Sequence, residues 1–152
     1  MAAVIGSLVV GTDGSHTAAV AVGRAVALAR AFDARLSIVS AYEPVPSGRL
    51  RGGMPEPPQN VEWALNPRED VLALLAAAER EAREAGVDQV ETFARVGDAA
   101  DAILDVAEEQ RSDLVVVGNK GMTGATRFLL GSVPNKVSHH APCSVLIVRT
   151  SS

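Results

Sequence analysis

Residues 4–15 read VIGSLVVGTDGS. A short Val-rich run, residues 4–10, stops at Gly11-Thr12-Asp13-Gly14, as a strand stops at a turn. Ser15 then offers a hydroxyl that can accept from the free N–H groups of a first helical turn. Behind it Ala18, Val22, Ala25, Val26 and Ala29 recur at helical spacing up to Phe32. A strand that passes through a glycine turn directly into an amphipathic helix is how a parallel α/β sheet begins.

Working outward, the alternation continues. Residues 36–41, LSIVSA, form a second short β-branched run. Residues 43–66 break the pattern, because six of the eight prolines lie between Pro44 and Pro67, with Gly48, Gly52 and Gly53 among them. A long loop is expected there, within one domain, since neither flank is long enough to fold alone. Pro67 suits a first helical turn, and a helix is expected over residues 68–85. Its apolar stripe is Val71, Leu74, Leu75, Ala78 and Ala82, with Glu79–Arg83 and Arg80–Glu84 as ion pairs on the wet side and Gly86 as its stop. Residues 90–96 read as a strand. Asp98 caps a helix whose stripe is Ala102, Ile103, Val106 and Ala107.

Residues 114–117 are the most uniformly apolar run, as a central strand buried on both faces would be. A glycine-rich stretch, 118–131, leads to a helix over residues 132–140 and a last strand over residues 144–148. The expected fold is α/β: one domain over residues 1–152, with a five-stranded parallel sheet of order 3-2-1-4-5, helices on both faces, Rossmann-like.

The chain has 152 residues, 47% of them apolar and 21% charged, which is the balance of a single globular domain. One cysteine permits no intrachain disulfide and fits a reducing compartment. A net charge of −4 argues against a nucleic-acid partner, and 3% aromatics against base-stacking platforms. No apolar stretch approaches a membrane span. The first residues lack a basic leader and cleavage site, so a cytoplasmic protein is expected.

In open parallel sheets, ligands sit beyond the carboxyl ends of the strands, where strand order reverses. Two glycine-bearing segments leave strand ends here. One is Gly11-Thr12-Asp13-Gly14-Ser15. The other begins Gly118-Asn119-Lys120-Gly121 and runs to Gly131-Ser132, where a helix starts. The N–H groups of Ser132 and Val133 have no partner within that helix, and its dipole favours an anion. Ser132 either caps its helix or joins such a cradle.

Residues 118, 121, 131 and 132 spell G-x2-G-x9-G-[ST], a spacing whose chance occurrence in this composition is on the order of 0.01. Asp13 has two readings, as a turn residue or as a ligand contact. Lys120 can neutralise phosphate or stand in solvent. There is no Walker A loop, no G-x-G-x-x-G fingerprint and no G-x-S-x-G elbow. His139-His140 fits the negative end of a helix better than a metal site, and Asp13 with His16 lacks a third ligand. Cys143 reads as a small packing residue.

VVVGNKG and RFLLGSVPNKVSHHAPCSVLIVR resemble the closing segment of the universal stress protein family, and LVVGTDGS its opening strand and turn. The resemblance spans nearly the whole chain, and the G-x2-G-x9-G-[ST] motif marks the nucleotide-binding members. It implies an adenine nucleotide alpha hydrolase-like fold. Asp13 would meet the ribose, the backbone of Ala41 the adenine edge, and Gly118 the ribose again. Gly121, Gly131, Ser132 and Val133 would hold the phosphates. Thr12, Val117 and Lys120 complete the expected nucleotide-binding set. Gly11 stands where other members can carry proline, which should loosen the turn.

The ligand implied is ATP, with Mg2+ held by the phosphates, or alternatively cyclic AMP or AMP. No residue supplies a general base or a transition-state arginine, so binding in stress response or signalling is expected, with a slow ATPase as the enzymatic alternative. A homodimer through Ser144–Val148 is also expected, since that strand would lie at an open sheet edge.

Overall fold

The computed structural model describes residues 5–43, 67–119 and 131–150. The Pro/Gly-rich stretch expected as a long loop lies outside the described residues from 44 to 66, and so does the interior of the glycine-rich stretch, 120–130. Five strands alternate with four helices among the described residues. They are β1 (Ser7–Gly11), α1 (His16–Phe32), β2 (Arg35–Tyr42), α2 (Pro67–Glu84) and β3 (Val90–Val96), then α3 (Ala99–Glu109), β4 (Leu114–Gly118), α4 (Ser132–His140) and β5 (Ser144–Val148). The sheet order is β3-β2-β1-β4-β5 with every neighbouring pair parallel, the arrangement read from the sequence.

Alternate residues of the two central strands feed opposite cores. Leu8, Val10, Leu114 and Val116 pack on one face with Ala21 and Ala25 of α1 and Leu75 and Ala82 of α2. Val9, Val115 and Val117 pack on the other with Ile103, Val106 and Ala107 of α3 and Val137 of α4. The first four residues of both β1 and β4 are buried, as the uniformly apolar runs require.

Local chemistry sets the helix ends. Ser15 Oγ accepts from Ala18 N at 3.2 Å and caps α1. Asp98 Oδ2 accepts from Asp101 N at 3.0 Å and caps α3. Gly86, at φ 109°, turns the chain out of α2 while Gly86 N and Val87 N donate back to Arg83 O and Ala82 O.

Two expectations need correction. β1 starts at Ser7 instead of residue 4, because Gly6 N and Ser7 N both donate to Asp113 Oδ2, which fixes the entry to the sheet at that point. Of the two ion pairs expected on α2 only Glu79–Arg83 closes, at 3.0 Å. The order acid-then-base favours that pair, and Arg80–Glu84 has the reverse order. Arg83 also donates to Asp88 O and Val90 O, so it ties α2 to the start of β3.

Candidate functional site

The strand order reverses between β1 and β4, and a pocket opens beyond their carboxyl ends. Its base is apolar, with Val39 of β2, Val117 of β4 and Ile103 of α3. Its rim carries oxygen, from Thr12, Asp13, Ser15 and Thr17.

The turn after β1 is held by its own side chains. Thr12 Oγ1 accepts from Gly14 N at 3.1 Å, and Asp13 Oδ1 accepts from Ser15 N at 2.9 Å. Gly14 has φ 83°, a conformation that costs a side chain but not glycine. Asp13 therefore fills the turn role with one oxygen, and its Oδ2 has no hydrogen-bond partner among the described residues. Both readings of Asp13 remain compatible. Ser15 Oγ and Thr17 Oγ1 lie 3.2 Å apart on the first turn of α1.

The backbone supplies a second set of groups. Thr12 N donates to Val39 O at 2.9 Å, the last such bond between the β1 end and β2. Alternate residues of a strand point their peptide groups to the same side. Ala41 thus aims its N–H and C=O past the end of β1, and neither has a backbone partner on that side among the described residues. Ala41 lines the pocket.

α3 and α4 both begin near the pocket, with Ala99, Val133 and Pro134 in its wall. Gly131 is the N-cap of α4 and makes no side-chain cap bond, so Ser132 is the first helical residue and not the cap. Glycine caps through backbone conformation alone, and the exposed Ser132 hydroxyl has no hydrogen-bond partner among the described residues. Lys136 Nζ on α4 reaches Asp101 Oδ1 at 2.8 Å and Asp98 Oδ2 at 3.5 Å, joining the starts of the two helices. The Asp101 N–H, with help from Lys136, holds the Asp98 carboxyl below the usual carboxylate range. The hydrogen bond to Asp101 raises the Lys136 ammonium above its ordinary value.

Of the residues expected from the sequence, Thr12, Asp13, Ala41, Val117, Gly118 and Val133 come together around the pocket. Gly131 and Ser132 stand at the start of α4 without lining it. Lys120 and Gly121 lie outside the described residues. Sequence reasoning missed Thr17 and Ala99, and took Ser15 only as a cap and Ile103 only as core. The Asp98 cap was the available signal for Ala99 and Ile103, because it places the first turn of α3 beyond the carboxyl end of the sheet.

His139 and His140 are exposed in the last turn of α4, ring centroids 6.4 Å apart. Among the described residues no group of three His, Cys, Asp or Glu side chains could hold a metal ion. Burial pushes the Cys143 thiol above its ordinary value, which disfavours the thiolate. No helix among the described residues is long and apolar enough to cross a membrane.

Fold and pocket together define a Rossmann-like α/β domain with its candidate site at the switch point. The chain belongs to the universal stress protein family, which it matches over residues 5–149. It is 38% identical over 145 residues to universal stress protein Rv1636 of Mycobacterium tuberculosis, covering 95% of this chain and 97% of that protein. It is also 38% identical over 145 residues to universal stress protein YxiE of Bacillus subtilis, covering 93% and 97%. Among solved structures, a universal stress protein in complex with cAMP superposes with a TM-score of 0.74 at 35% identity, covering 98% of this chain and all (100%) of that one.

Proposed function

We propose that the switch-point pocket binds an adenine nucleotide, with ATP as the first reading, and that the protein acts by binding in stress response or signalling. The observation that carries this is that three donor and acceptor sets without partners among the described residues lie in or beside one pocket. The Ala41 peptide suits a base edge. The second carboxylate oxygen of Asp13 suits ribose hydroxyls. The amino end of α4, with Ser132 and Val133, suits phosphate. A divalent ion would ride on the phosphates, as such ions commonly do. Cyclic AMP is the second reading, favoured by the solved relative that holds it. It would use the same base and ribose groups and fewer of the phosphate donors.

The protein is proposed to be a cytoplasmic homodimer that pairs through β5. Hydrolysis is expected to be slow or absent. Competition between ATP and cyclic AMP in calorimetry, with a long hydrolysis assay, separates the readings. Gly131→Ala, which puts a methyl where backbone would meet phosphate, and Ser132→Ala, which removes a donor to a charged group, should each lower the affinity for the preferred nucleotide at least about tenfold. Unchanged affinity in both variants would remove α4 from the site.

A further inference from the structure

Outside the pocket, Asn119 ties three parts of the fold together. It directly follows β4. Its N–H donates to Val148 O at 2.8 Å, and its O accepts from Gly131 N at 3.1 Å. Its side-chain Oδ1 accepts twice, from Thr150 N and from Thr150 Oγ1, each at 2.9 Å in part-buried surroundings. Gly131 is the N-cap of α4, whose Val133 and Pro134 stand in the pocket wall. Thr150 follows β5, the outer strand of the sheet, and lines no part of the pocket.

Asn at a strand end ordinarily bonds backbone one or two residues on. Here its side chain reaches across 31 residues of sequence and takes both donors of one threonine. Two donors on one carbonyl oxygen use both its lone pairs. Asn119 is thereby fixed from β4, from β5 and from the tail, and Gly131 is fixed to Asn119.

We propose that Asn119 is a positioning residue through which the C-terminal edge, at Thr150, sets the placement of the start of α4 and hence the nucleotide affinity of the pocket. The proposal rests on the nucleotide reading above. By linkage the coupling runs both ways: whatever holds Thr150 in place favours the nucleotide, and a nucleotide that holds the start of α4 in place favours the Thr150 contact. A second copy paired on β5 and a bound nucleotide would then support each other.

The test uses the full chain titrated with ATP and with cyclic AMP in a calorimeter. Thr150→Val keeps the shape and removes the hydroxyl, and should weaken binding about threefold to tenfold, the range for one hydrogen bond. Thr150→Ser should restore it. Asn119→Ala removes the acceptor for both donors and should cost more. Adding Thr150→Val to Asn119→Ala should then cost nothing further, the mark of a shared acceptor. A readout without ligand is amide exchange at Gly131, which should accelerate in Thr150→Val. The Gly97 amide, bonded to Tyr42 O at the far side of the sheet, should not change.

Unchanged affinity and unchanged Gly131 exchange in Thr150→Val, beside a wild type that binds, overturn the proposal. Additive losses in the double variant do the same. A wild type that binds neither nucleotide overturns the reading beneath it and with it the affinity coupling. Gly131 exchange then decides whether the tail still positions α4.

Discussion

Gly11 on β1 and Ile103 on α3 meet so closely that a Cβ added to Gly11 would stand 2.5 Å from Ile103 Cδ1 and 2.9 Å from its Cγ1. Both residues line the pocket. Gly11 is the last residue of the strand and is not among the glycines of positive φ. Its need for glycine is therefore one of packing. The isoleucine that fills the base of the pocket occupies the space where a side chain of residue 11 would be.

Gly11→Ala should thus force Ile103 to another rotamer and cost about 1–3 kcal/mol of stability, the usual price of overpacking. Ile103→Val removes Cδ1, the atom in closest conflict. The double variant should be more stable than the sum of the two single losses allows, because the residues share one space. Urea denaturation of the three variants reads this directly, and strictly additive losses would show that the two side chains do not compete.

Asp13 carries two roles that a pair of substitutions can separate. Asp13→Asn keeps an acceptor for Ser15 N, so the turn should hold. Asp13→Ala loses that acceptor and should cost about 1 kcal/mol of stability. Nucleotide affinity should fall in both, about tenfold or more in Asp13→Ala, since a hydrogen bond donated to a charged group contributes about 1.5–3 kcal/mol. If Asp13→Ala loses stability but binds nucleotide as wild type does, the turn is the whole role of this residue.

The framework was legible in the sequence because periodicity and punctuation agreed. The Val-rich runs ending at Gly11 and Gly118, the Ser15 and Asp98 caps and the Gly86 stop each had one physical reading, and the structure contains them. The pocket lining was legible where a residue lies at or just beyond a strand end or in the first turn of α4. Ile103 reads as core from its spacing and is core, yet the same side chain faces the pocket. Thr17 carries no local signal, since its place at the rim depends on how α1 leaves the turn. The Asn119–Thr150 contact spans two elements that become neighbours only when β4 and β5 pair, so no local pattern announces it.

Acid should weaken the fold in a defined direction. The Asp101 N–H and Lys136 hold Asp98 below the usual carboxylate range, and Arg95 does the same for Glu109. For a carboxylate lowered on folding, the stabilisation is complete above the unfolded value and is lost as pH falls through the folded one. Stability should therefore decline below about pH 4. Asp98→Ala should cost about 1 kcal/mol near neutral pH as a lost helix cap, and its difference from wild type should shrink on acidification. Denaturant titrations at several pH values test this, and a constant difference down to the most acidic point would exclude the Asp98 carboxylate as its source.

Assembly can be tested at one residue of β5. Asn119 N donates to Val148 O, so the peptide groups of Val148 face β4. By alternation those of Ile147 face outward, where the sheet has no further strand among the described residues. Ile147 is also 36% exposed, large for an aliphatic side chain on the surface. An open apolar edge invites a partner, and a two-fold axis lets β5 of a second copy pair with it antiparallel and satisfy both edges. Ile147→Pro removes an outward donor while leaving the β4 ladder its own bonds, which is where an edge strand tolerates proline. The variant should be a folded monomer, or aggregate where the edge is only half blocked, while wild type is a dimer in light scattering. The measurement belongs at tens of micromolar, roughly the range where an interface of standard size is saturated. A monomeric wild type at that concentration would overturn the β5 pairing and mean that the edge stays open beside the charged Arg149.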